Sequence, residues 1–102
     1  MAVAFIQEIA VEPGDRSTTM YDAVVARLGE INPDGLLIHT AGFDDDAGVF
    51  RIFDVWESQA QGQRFIDEEL MPIISELMAA EPDAGAPPQR EGFYELHDVI
   101  AP

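Results

Sequence analysis

This 102-residue sequence predicts an α+β fold of the ferredoxin-like type, a four-stranded antiparallel sheet with two helices on one face. Three observations lead there. The length suits one domain, residues 1–102. Four segments are rich in β-branched and aromatic residues, and two others carry apolar residues at helical spacing. Their order along the chain is β-α-β-β-α-β, with no internal repeat beyond two βαβ-like halves.

The first strand is residues 2–11, AVAFIQEIAV, which stops at Pro13-Gly14. The first helix follows, with Ser17, Thr18 or Thr19 as its N-cap. Its apolar positions are Met20, Val24, Leu28 and Ile31, with Tyr21 and Val25 beside them, and Asn32-Pro33-Asp34-Gly35 ends it. Residues 36–43, LLIHTAGF, and 49–56, VFRIFDVW, form two strands joined through Asp44-Asp45-Asp46-Ala47-Gly48. That acidic run reads as a hairpin turn rather than a calcium loop, which needs spaced ligands and a distal glutamate. Ser58 and Gln61 open the second helix as a capping box, and Glu57 lies where the helix dipole favours an anion. Ile66, Leu70, Ile73, Ile74 and Leu77 form its apolar stripe, and Pro72 inside that stripe predicts a kink. Residues 80–92 read as a long loop and 93–100, FYELHDVI, as the last strand.

Twenty acidic residues against five arginines leave a net charge of −15, and lysine is absent. Such a field repels phosphate backbones and anionic lipid, which argues against nucleic-acid and membrane partners. The sequence has no cysteine, so disulfides, thiolate metal sites and a cysteine nucleophile are excluded, in keeping with a cytoplasmic location. The first fifteen residues have no basic region and no long apolar stretch, so neither a signal peptide nor a membrane span is expected.

An antiparallel sheet covered on one side should alternate apolar and polar residues, and these strands do not. In the third strand, Phe50, Ile52 and Trp56 face one way while Val49, Phe53 and Val55 face the other. Two helices cover only one face. Each large apolar side chain left bare on the other would cost about 2 kcal/mol. The expected cover is the same sheet of a second copy, giving a homodimer through the sheet faces that closes into a barrel.

The DVWES junction at 54–58, RFIDEELMPIISEL at 64–77 and YELHDVI at 94–100, set in the β-α-β-β-α-β order, resemble the dimeric α/β-barrel superfamily. More narrowly, they resemble antibiotic biosynthesis monooxygenase-like proteins, over nearly the whole chain. That resemblance implies a cavity between helices and sheet and, for some members, cofactor-independent oxidation of flat aromatic molecules. The heme-degrading branch is expected to use an Asn on the first strand, a Trp after the third and a His on the second helix. Gln7 and Trp56 sit near the first two places, and the second helix contains no histidine.

The candidate catalytic residues are His39 and His97, because an imidazole titrates near neutrality and suits proton transfer. The default reading of each, more so for His97, is a structural histidine satisfied by a carboxylate or backbone group. In-phase parity of the hairpin would put His39 on the face of Arg51 and Phe53. Asp54, an acid among apolar residues, should be paired, with Arg51 or Arg64 as expected partners. Trp56, Phe5, Gln7, Tyr21, Phe53 and Phe65 are the candidate ligand-binding residues, and each reads also as core. No metal-ligand spacing, phosphate loop or Ser-His-Asp order is recognisable, and no cofactor is expected. Three readings stay open: a cofactor-free oxygenase of a small aromatic ligand, a non-catalytic binding module, and a heme binder without turnover.

Overall fold

In the computed structural model, residues 2–29, 32–80 and 87–100 are described. The elements are β1 (Val3–Ala10), α1 (Thr19–Leu28), β2 (Leu36–Asp44), β3 (Val49–Trp56), α2 (Gln59–Phe65), a π-helical turn Ile66–Leu70, α3 (Met71–Ala80) and β4 (Arg90–Glu95). The four strands form one antiparallel sheet in the order β2-β3-β1-β4. This is the ferredoxin-like arrangement expected from the element order. No helix among the described residues is long and apolar enough to cross a membrane.

Register decides which side chains meet. Residues 45–48 form a four-residue turn, closed by the Gly48 amide on the Asp44 carbonyl at 2.9 Å and by the Ala47 amide on Asp44 Oδ1 at 3.1 Å. Gly48 takes φ +69°, a conformation that suits a residue without Cβ. A turn of this length pairs Asp44 with Val49 and therefore odd positions of one strand with even positions of the other. His39 consequently stands opposite Asp54, not beside Arg51 and Phe53. The in-phase expectation is corrected here. A bulge between Leu36 and Ile38 then returns Leu36 to the face of His39, although strict alternation along the strand would place it with Ile38 and Thr40.

The helix-facing side of the sheet holds Val3, Phe5 and Trp56, all buried, with Leu36, Phe65, Ile66 and Phe93 packed against them. The opposite side carries Ala4, Ile6, Val49 and Val55, with Phe53, Ile38 and Tyr94 among them. Ile38 and Tyr94, on the edge strands, are 52 % and 43 % exposed, so that second face is open along its edges, whereas Ala4, Ile6, Val49 and Val55 on the inner strands are buried. Its charged residues are Glu8, Asp44, Arg51 and Arg90. Arg51 Nε donates to Glu8 at 2.7 Å and its Nη1 to Asp44 at 2.8 Å, while Arg90 lies 3.7 Å from Glu8. Two acids face two arginines, so this face is neutral within a chain of net charge −15.

Local sequence explains the helix boundaries. The Ser58 hydroxyl accepts the Gln61 amide at 3.2 Å, as expected of a cap. The Gln61 side chain accepts from the Ser58 hydroxyl at 2.8 Å and donates to Asp34, instead of closing the box on the cap's own amide. The break expected at Pro72 takes the form of the π turn. Proline cannot supply its amide, and the Met71 amide donates to Ile66, five residues back. α1 begins after Thr18, whose hydroxyl donates to Asp22 rather than capping an amide. Gly29 (φ +67°) ends it, ahead of the expected Asn-Pro-Asp-Gly stop, and Ile31 of the expected stripe lies outside the described residues. The last strand is shifted toward the N-terminus. It runs from Arg90 to Glu95, where Gly92 pairs with Ile6 and Phe93 with Phe5, so residues 90–92 of the expected loop are strand and 96–100 are not. Residues 81–86 of that loop lie outside the described residues.

Candidate functional site

β2 and β3 bring His39 and Asp54 face to face on the helix side, and α1 lowers Tyr21 onto them. The Asp54 carboxylate lies 2.6 Å from His39 Nδ1, and the Tyr21 hydroxyl lies 2.8 Å from His39 Nε2. An ionised carboxylate only accepts, so Nδ1 carries the hydrogen. In the neutral ring Nε2 is then the acceptor and the tyrosine hydroxyl donates to it. The Tyr21 and His39 rings lie nearly parallel, 5° apart with centroids 6.3 Å distant. Phe50 meets Tyr21 edge-on at 5.4 Å, and Phe43 meets Phe50 in the same manner at 4.9 Å.

The electrostatics follow from burial. Asp54 is buried, at 9 %, whereas the His39 side chain is 43 % exposed. The hydrogen bond to Asp54 raises the His39 imidazole above its ordinary value of 6.5, against a lowering by partial burial. Burial, followed by the charges of Asp54 and Asp22, holds the Tyr21 hydroxyl above its ordinary value of 10.0, so the phenol keeps its proton near neutrality. The array is therefore a base at Nε2, oriented by a carboxylate and capped by a phenol.

The expected partners of Asp54, Arg51 and Arg64, do not hold it. Arg51 belongs to the open face with Glu8 and Asp44, and His39 takes its place at Asp54. Phe5 shares the row of Asp54 and His39, being paired with Asp54 across β1 and β3. It packs into the core against Phe93 at 5.0 Å. Trp56 is only 2 % exposed and touches Phe65 at 5.6 Å, and its indole Nε1 has no hydrogen-bond partner among the described residues. Gln7 donates to Glu91 at 2.6 Å. Phe53 lies on the open face, across the sheet from His39, where it lines a groove of about 250 Å³ with Thr40, Gly42 and Arg51. Phe65 borders a second groove of about 350 Å³ with Asn32, Asp34, Gln61, Arg64 and Glu68. Neither groove is lined by His39. His97 is exposed, beyond the end of β4, and is not brought to the His39 array.

These residues do not fit a heme. The helical run from Gln59 to Ala80 contains no histidine, the Gln7 amide is engaged by Glu91, and Trp56 is enclosed in the core.

The Asp54–His39 pair and the hydroxyl of Tyr21 are what residue-by-residue reading missed. The signal was present in the turn: four residues between Asp44 and Val49 set the parity that puts His39 across from Asp54.

No protein-family model matches this sequence, and no curated protein matches it. Solved structures do. A protein provisionally named an antibiotic biosynthesis monooxygenase, from Chloroflexus aurantiacus, superposes with a TM-score of 0.62 at 18 % identity, over 99 % of this chain and 98 % of that one. Rv0793 from Mycobacterium tuberculosis gives 0.66 at 17 % identity, over 99 % and 100 %. SnoaB, a cofactor-independent oxygenase from Streptomyces nogalater, gives 0.61 at 16 % identity, over 97 % and 96 %. At these identities the likeness concerns architecture: this chain has the fold of the antibiotic biosynthesis monooxygenase-like structures.

Proposed function

We propose that the protein is a cofactor-independent oxygenase of small, flat, hydroxylated aromatic molecules, acting as a homodimer in the cytoplasm. The observation that carries the reading is the Tyr21–His39–Asp54 array, a base with a fixed tautomer beside aromatic rings. The description of SnoaB as a cofactor-independent oxygenase on the same fold supports it. The array takes a proton from an activated ring methylene or its enol. The resulting anion passes one electron to dioxygen, the radical and superoxide combine into a peroxide anion, and that anion takes the proton back from the His39 imidazolium to give a hydroperoxide. Loss of water from that hydroperoxide leaves a ketone, so that CH2 and O2 become C=O and H2O. Asp54 stabilises the imidazolium formed at His39 while the anion reacts.

The dimer rests on the second sheet face, which is apolar and neutral and leaves Ile38 and Tyr94 exposed in the single chain. Elsewhere the excess of acids would make two copies repel each other.

The test is oxygen uptake and product formation with a panel of hydroxylated anthrones and quinones, for the wild type and His39→Ala. Turnover by the wild type that falls 10²-fold or more in the variant is the expected result, in line with the ~10²–10⁴ contributed by a general base. Absence of uptake and product across the panel overturns the reading. A second reading has its own support, since both His39 nitrogens are already engaged, as in a purely structural histidine. It requires that His39→Ala lose stability while its affinity for an aromatic ligand stays the same.

A further inference from the structure

We infer that Tyr21, rather than His39, is the group that meets the substrate: its hydroxyl relays a proton from a phenolic or enolic O–H of the ligand to His39 Nε2. The inference rests on the catalytic reading above and assigns it a new catalytic residue and an O–H acid as substrate class.

Geometry carries it. His39 has two ring nitrogens, and both are occupied, Nδ1 by Asp54 at 2.6 Å and Nε2 by Tyr21 at 2.8 Å. No nitrogen is left to touch a ligand. The tyrosine oxygen spends its single hydrogen on Nε2 and keeps its lone pairs, so it can still accept one hydrogen bond from outside. A ligand hydroxyl fills that vacancy; a C–H group is a poor donor and does not. The ring of Tyr21 is held by Phe50 at 5.4 Å and lies parallel to the imidazole, which keeps the hydroxyl on Nε2.

The step balances. The ligand O–H bond breaks and an O–H bond forms at Tyr21. The original Tyr21 O–H bond breaks and an N–H bond forms at Nε2. Tyr21 ends unchanged, His39 ends as imidazolium beside the Asp54 carboxylate, and the ligand ends as its anion. A tyrosine whose own ionisation is suppressed suits this role, because it passes a proton without stopping as a tyrosinate.

A nitrophenol, coloured only as its anion, is the probe, bound to the intact protein at a pH below the probe's own pKa in water and above that of His39, so that Nε2 starts as an acceptor. The wild type is expected to bind it in the coloured form with His39 protonated in the imidazole 15N spectrum. Tyr21→Phe keeps the ring against Phe50 and is expected to bind it uncoloured. Asp54→Asn is a second variant that leaves Tyr21 in place and is expected to lose most of the colour as well. Equal colour in Tyr21→Phe overturns the relay, and so does failure of the wild type to bind or ionise the probe. Ionisation without oxygen uptake on the anthrone panel keeps the relay and removes the oxygenase, so the two failures are distinguishable.

Discussion

Ile38→Asp is the perturbation that separates a lone chain from a paired one. Ile38 lies on the open face of edge strand β2 and is 52 % exposed, so the folded single chain depends little on it. Full burial of an isoleucine side chain stabilises by about 1.5–3 kcal/mol, so covering the exposed half contributes about 1 kcal/mol per copy. A two-fold axis counts each residue twice, which makes about 2 kcal/mol. Forcing an aspartate into the same place adds desolvation of about 1 kcal/mol or more for each copy. The sum, about 4 kcal/mol, weakens the dimer roughly a thousandfold. Sedimentation equilibrium over a concentration series measures it, with far-ultraviolet circular dichroism showing that the variant stays folded. A wild type that sediments as a single subunit at micromolar concentration refutes the reasoning. An Ile38→Asp dimer as tight as the wild type moves the interface to another face.

The remaining predictions concern packing, capping and titration. In Gly62→Ala the new Cβ would lie 2.8 Å from Phe93 Cε1 and 3.1 Å from Trp56 Cγ. Those rings are confined by Phe5 and by the core, so overpacking of about 1–3 kcal/mol outweighs the ~1 kcal/mol gained in helix propensity. A net loss near 1 kcal/mol lowers Tm by about 4–8 °C in thermal unfolding; a higher Tm contradicts the packing. Ser58→Ala removes the acceptor of the Gln61 amide and is expected to cost about 1 kcal/mol in urea unfolding, with no change in oligomeric state. The folded-state pKa of His39 is raised, so its ionic contribution is complete below about pH 6.5 and disappears as pH rises through the higher folded value. The stability gap between wild type and His39→Gln should therefore be widest in mild acid and narrow above that value. Because the side chain is 43 % exposed, solvent screening keeps the ionic part to about 1 kcal/mol or less. A gap that widens with pH contradicts the pairing.

Much of the fold was legible because β-branched runs bounded by turn residues have one plausible reading. The third strand, Val49–Trp56, agrees with its sequence signal residue for residue, and the acidic turn differs only in Asp44, which ends β2. β4 was less legible. Arg90 and Glu91 look like loop residues, but β1 pairs them with Glu8, whose carboxylate lies 3.7 Å from Arg90, and with Gln7, which donates to Glu91, so pairing overrides composition. Of the candidate site, the identity of His39 was visible and its partnership was not. That depends on a parity set by turn length and on a bulge at Leu36/Ile38 that no local propensity encodes. Tyr21 could be placed on its helix, but no spacing rule connects a hydroxyl on α1 with an imidazole eighteen residues later on β2. Phe53 and His39 illustrate the opposite error, two suggestive residues that the register puts on different faces.

The account stands on His39 being held by Asp54 as a base at Nε2. Imidazole 15N NMR at a pH above the raised His39 value, with His39 assigned by comparison with His39→Gln, reads this directly. The predicted result is hydrogen on Nδ1 and an acceptor Nε2, reverting to the ordinary mixture in Asp54→Asn. Hydrogen on Nε2, or a spectrum indifferent to Asp54, contradicts the account.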